Sequence, residues 1–106
     1  MIPVDNLFEG IPPSIPEELF LTLFRNENIR IEQIVSGGHA SPPDFWYDQD
    51  NPEWVLLLAG SAVMEFPDGK TIELKKGDYF LIPSHQRHRI SKVSEDAIWL
   101  AIHIGL

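Results

Sequence analysis

Cysteine is absent from the 106 residues. This excludes a disulfide framework, thiolate chemistry and any cysteine-based zinc site. The usage agrees with a reducing compartment, and a cytoplasmic location is expected. Long apolar runs are also missing, and none reaches the length that crosses a bilayer. The start, Met1-Ile-Pro-Val-Asp5, has neither the basic opening nor the apolar core of a signal peptide. Basic residues are scarce: 8 against 16 acidic, for a net charge of −8. Without clustered Lys and Arg, neither a phosphate backbone nor an anionic membrane is expected as a partner. The acidity itself asks for no partner, because solubility accounts for it.

What is present is an ordinary globular composition, 43% hydrophobic and 23% charged. The length suits one domain with a single core. Residues 1–13 carry Pro3, Pro12 and Pro13 among Ile2, Val4, Leu7, Phe8 and Ile11. They read as an extended arm lying on another surface, for example that of a neighbouring subunit. Ser14-Ile-Pro-Glu17 matches a capping box, with Pro16 early enough to cost no hydrogen bond. Ile15, Leu19, Phe20 and Leu23 then share a helical face, which predicts a short helix near 16–24. A strand over Leu19–Phe24 is the alternative.

From Asn28 the pattern is β. Apolar runs at Ile29–Val35, Glu53–Leu58, Ala62–Phe66, Thr71–Leu74, Tyr79–Ile82, His88–Val93 and Ala97–Ile104 are separated by turn residues such as Gly37-Gly38, Pro67-Asp-Gly69 and Lys75-Lys-Gly77. Many short strands at regular spacing predict an all-β sandwich or barrel. The division expected is 1–27 for the arm and helix and 28–106 for the barrel.

Two stretches carry the chemistry. Gly77-Asp-Tyr-Phe-Leu-Ile-Pro83 and His88 give a turn, a short strand, a second sharp turn and an imidazole. Glu53-Trp-Val-Leu-Leu-Leu-Ala-Gly60 is the second stretch. Their order and spacing resemble the two half-motifs of the small cupins, in particular a subgroup of unassigned function. Gly77, Pro83 and His88 match the second motif, and His85 stands where the family has a glycine. Glu53 and Gly60 match the back half of the first motif. The resemblance implies a double-stranded β-helix, the jelly-roll barrel, commonly a homodimer. It also implies a divalent metal in the barrel, held by motif side chains.

The two histidines of the first motif are not there; Tyr47 and Gln49 stand six and four residues before Glu53. The metal set that the resemblance leaves is His88, Glu53, Gln49 and Tyr47. Its mixed N and O donors suit Zn, Fe, Ni or Mn. Tyr47 joins only if a cation lowers its pKa. Each residue also has a plainer role. His88 can serve as an internal hydrogen-bonding group. Glu53, if it points inward, needs a metal, His88 or an Arg as partner, because an unpaired carboxylate there is costly. Otherwise it is a satisfied polar core residue. Asp48 and Gln49 can be loop residues. His85 either replaces a ligand or faces solvent at the barrel mouth. His39 reads as a loop hydrogen-bonding residue. His103 shares a face with Ala97, Trp99 and Ala101 and enters the lumen only if that face does. The aromatics Phe45, Trp46, Tyr47, Trp54 and Trp99 either pack the core or a dimer, or form a stacking rim.

Two functions follow as expectations. The first is a metal-dependent small-molecule site acting on a carbonyl, carboxylate or sugar-like compound, with the ion as Lewis acid and Glu53 as general base. The second is a metal-free barrel that binds or senses a ligand without chemistry. The fold hosts both.

Overall fold

A computed structural model describes residues 1–105, which form eight strands and no helix. They are β1 Leu19–Arg25, β2 Ile29–Val35, β3 Glu53–Ala59, β4 Ser61–Glu65, β5 Thr71–Lys75, β6 Tyr79–Ile82, β7 Arg89–Val93 and β8 Ile98–Ile104. Five make one antiparallel sheet in the order β1-β2-β8-β3-β6, and three make a second in the order β5-β4-β7. The core between them is Val55, Leu57, Ala62, Met64, Leu74, Ile82, Ala97 and Trp99. The all-β barrel expected from the strand spacing is the fold observed.

The helix near 16–24 does not form. Residues 19–25 are β1, paired with β2 from Leu19↔Val35 to Arg25↔Arg30. The expected boundary between arm and barrel at residue 27 therefore falls between two paired strands. The reason is physical. Leu19-Phe-Leu-Thr-Leu-Phe24 is apolar on both sides of a strand and offers no polar helix face. A long-range ladder with β2 outweighs one local cap, whose worth is about 1 kcal/mol.

Two turns need their particular residues. Gly60, between β3 and β4, has φ 82°. A Cβ there would sit 2.8 Å from Ala97 Cα and 2.9 Å from Ala97 N, so no side chain fits. At the β6–β7 turn His85 takes φ 61°, a conformation that favours glycine. Its backbone N–H donates to Gln49 O at 2.7 Å, and Nδ1 lies 2.8 Å from Asp48 Oδ1. Those bonds hold the strained turn and tie it to the loop carrying Tyr47 and Gln49.

The five-stranded sheet is apolar on its outer face and passes from apolar to polar along its inner one. Its inner rows in register are Phe20–Ile34–Trp99–Leu57, then Glu32–Ala101–Val55–Phe80, then Arg30–His103–Glu53–Ile82. The intervening residues form the outer rows, Leu21–Gln33–Leu100–Leu56–Tyr79 and Phe24–Ile31–Ile102–Trp54–Leu81. The N-terminal arm covers one corner of that outer face. There Gln33 Nε2 donates to Leu7 O at 2.6 Å, and His39 Nε2 pairs with Ile15 O at 2.8 Å.

Candidate functional site

The inner rows of the large sheet pass from apolar to polar along the barrel. Where they turn polar, a cavity of about 230 Å³ opens. Ile34, Val55, Met64, Phe80, Ile82, Ile90 and Trp99 give it apolar walls, and Glu18, Arg30, Glu32, Tyr47, Gln49, Glu53, His88 and His103 give it polar ones. All four residues expected in the site, Tyr47, Gln49, Glu53 and His88, therefore line one cavity.

Glu53, Glu32, His88 and His103 are only 6–9% exposed. Buried charge of this density must be paired. His103 Nε2 lies 3.2 Å from Glu32 Oε1 and 3.9 Å from Glu53 Oε2. One imidazole on β8 thus lies between two carboxylates, contributed by the strands on either side of it. Burial pushes the Glu53 carboxyl above the usual carboxylate range; His103 and His88 oppose this, Glu32 reinforces it, and Gln49 opposes it through a hydrogen bond. Burial likewise raises Glu18, although Ser36 Oγ donates to its Oε2 at 3.0 Å.

His88 sits just before β7 and forms a two-way backbone bridge with Tyr47, 2.8 and 3.2 Å long. The two rings stack, with centroids 5.4 Å apart and planes 22° from parallel. His88 Nδ1 is 2.8 Å from Gln86 O. A carbonyl only accepts, so Nδ1 carries a hydrogen. Gln49 Oε1 is buried without a hydrogen-bond partner. Arg30 Nε, in the same wall, is a buried donor without a partner.

The donor set does not make the metal centre that the family resemblance implies. Among the described residues no three His, Asp or Glu side chains converge as a metal-holding group. Burial, then the carboxylates of Glu18 and Glu53, push the Tyr47 phenol up from 10.0. His103, the remaining imidazole, is engaged by Glu32.

The other candidates lie elsewhere. His85 is exposed at the mouth, where Nε2 is also 3.6 Å from Asp50 Oδ1. His39 pins the arm, and Arg89 Nη1 donates to Glu65 Oε1 at 2.5 Å. Phe45 meets Tyr47 edge-on at 4.9 Å, and Arg87 lies over the Trp46 ring. Sequence reasoning missed Glu18, Arg30 and Glu32. Arg30 and Glu32 share the inward parity of Ile34 on β2, a signal visible once that strand's partner is known. Glu18 was hidden by the expected helix.

Comparison with known proteins agrees with this architecture. The cupin domain family matches residues 31–103, and the chain belongs to the cupin family. A candidate mannose-6-phosphate isomerase from Ralstonia eutropha JMP134 is 37% identical, with a TM-score of 0.91 over 99% of this chain and 100% of that one. An RmlC-like cupin from Desulfovibrio desulfuricans (15% identity, TM-score 0.77, 98% and 97% covered) shares the fold. So does a cupin superfamily protein from Desulfitobacterium hafniense DCB-2 (21% identity, TM-score 0.72, 91% and 84% covered). No protein of curated function matches. Cupins commonly bind metal, so the replaced ligand positions set this cavity apart.

Proposed function

We propose that this cupin binds a small, uncharged, hydroxyl-bearing molecule of sugar-like character in the barrel cavity, without a resident metal, and that Glu53 acts there as proton acceptor. The observation that carries this reading is a buried polar wall whose hydrogen-bonding groups are incompletely paired, Gln49 Oε1 as an acceptor and Arg30 Nε as a donor. Beside them, Glu53 and Glu18 are carboxylates kept uncomfortable by burial. A polyol supplies several O–H donors at close spacing. Its C–H faces suit walls such as Trp99, Phe80 and Ile34. At ~30 Å³ per water, the cavity of about 230 Å³ has room for roughly seven or eight waters. That is below the range of drug-sized pockets and suits a ligand of monosaccharide scale. The similarity to the Ralstonia protein, a candidate isomerase of a phosphorylated sugar, supports the sugar-like character of the ligand and not its lack of charge.

Glu53 is the group suited to proton transfer. Burial holds its pKa above the ordinary value, which makes its ionised form a stronger base than a surface carboxylate. His103 and Glu32 orient it. Tyr47, kept as a phenol, donates rather than accepts.

Calorimetric titration of chelator-treated protein with a monosaccharide panel tests the proposal. At least one neutral sugar should bind saturably. Removing one hydrogen bond to a buried charged group costs about 1.5–3 kcal/mol, so Glu53→Gln and His88→Ala should each weaken that binding roughly 10- to 100-fold. Equal affinity in wild type and both variants would remove the cavity from consideration. Binding only after addition of Zn, Mn, Fe or Ni would favour a metal centre on His88, Glu53, Gln49 and Tyr47.

A further inference from the structure

Glu18 reaches the cavity from outside the barrel strands. It ends the arm, one residue before β1, and the arm belongs to no strand. The turn after β2 seats the arm through neighbouring residues. Ser36 Oγ donates to Glu18 Oε2 at 3.0 Å. Gly37 lies under Ile15, where a Cβ would sit 2.5 Å from Ile15 Cγ1. His39 Nε2 donates to Ile15 O at 2.8 Å. Ser36 is fully buried, and its Oγ also accepts from Trp99 Nε1 at 2.9 Å. Glu18 and Trp99 both line the cavity. One buried hydroxyl therefore joins two cavity-wall residues to the seat of the arm, while Gly37 and His39 stay out of the wall.

We propose that the arm is a strap that carries Glu18 into the cavity as a ligand-recognition group, so that seating of the arm and binding of the ligand strengthen each other. This rests on the proposed function and adds that one hydroxyl of the neutral sugar is read by Glu18. Ser36 takes Oε2, which leaves Oε1 to accept from the ligand. Burial disfavours the charged carboxylate of Glu18, and an O–H donor replaces the water it has lost. Elements that move on binding come from the least stable parts of a structure. A segment outside every ladder, held by the side chains of Gln33, Ser36 and His39, is such a part. Coupling of this kind is reciprocal: loosening the arm weakens the ligand, and the ligand tightens the arm.

The chain has no cysteine, so Ser14→Cys takes a single nitroxide label at an exposed position of the arm. Electron paramagnetic resonance of the label reads how much of the arm is seated. Calorimetry with the tightest-binding neutral monosaccharide of the panel reads affinity. His39 lies outside the core and the cavity, so His39→Ala spares the fold. It should raise the mobile fraction of the label and weaken sugar binding roughly 3- to 10-fold, and saturating sugar should seat the label again. His39→Gln, whose amide donates to Ile15 O, should restore both readings. Glu18→Gln keeps an acceptor for Ser36, so its label should stay seated while sugar affinity falls roughly 10- to 100-fold. A label that His39→Ala does not loosen, or sugar affinity that His39→Ala or Glu18→Gln leaves unchanged, overturns the strap alone. A panel in which no sugar binds overturns the proposed function and the strap with it.

Discussion

Glu53 spends its ionisation against burial, and that cost can be measured. Its folded pKa is raised, first by desolvation. Below the unfolded value, near 4.5, the carboxyl is protonated in both states and its contribution to stability is fully present. As pH rises through the raised folded value, the unfolded chain gives up its proton more readily, and that stability is lost. Glu53→Gln should therefore melt at a higher temperature than wild type at neutral pH, and the gain should shrink to nothing below about pH 4.5. Melting curves across pH check this; a variant less stable than wild type at neutral pH would show that the His103 and His88 pairings outweigh burial. At this scale the sequence was half legible. Tyr47, Gln49, Glu53 and His88 follow from motif spacing. His103 required knowing which face of β8 lines the lumen, and both faces are apolar enough to qualify. Glu18 required a strand where local capping signals a helix.

Among the elements, the turns are as informative as the strands. The β3–β4 turn depends on Gly60, whose missing Cβ lets Ala97 approach. Gly60→Ala should destabilise the fold by roughly 1–3 kcal/mol through positive-φ strain and that clash, read from denaturant midpoints at constant slope. Leu57 is fully buried in the middle of β3, so Leu57→Ala should cost about 2–5 kcal/mol; less than 1 kcal/mol would mean the core collapses around the gap. Strand positions were readable because apolar runs alternate with Gly, Pro and Asp turns. His88 falls one residue before β7, held by its bridge to Tyr47. Neither half of that bridge is a sequence-local signal. The one element misread, β1, has a strong local helix signal and gains its strand only from β2.

For the whole molecule, one sheet serves two surfaces. Its inner face sets Arg30, His103 and Glu53 in one cross-strand row at the polar end of a cavity. Its outer face is apolar and free of charge. Among the described residues no helix is long and apolar enough to cross a membrane. The fold was legible from the two half-motifs, since Gly60, Gly77 and Pro83 punctuate strands in the order a cupin requires. What occupies the barrel was not, because it depends on side chains that converge from β2, β3, β8 and the loop before β3. Tyr47 and Gln49 in place of two imidazoles turn a ligand set for metal into a wall of hydrogen-bonding groups. The central claim is that this wall binds a neutral polyol by itself. The most direct measurement is the dissociation constant of the best monosaccharide from the panel, first after exhaustive chelation and then after saturation with Zn, Mn, Fe or Ni in turn. The account predicts the same value in every case. Binding absent from the chelated protein and restored by one of these metals would contradict it.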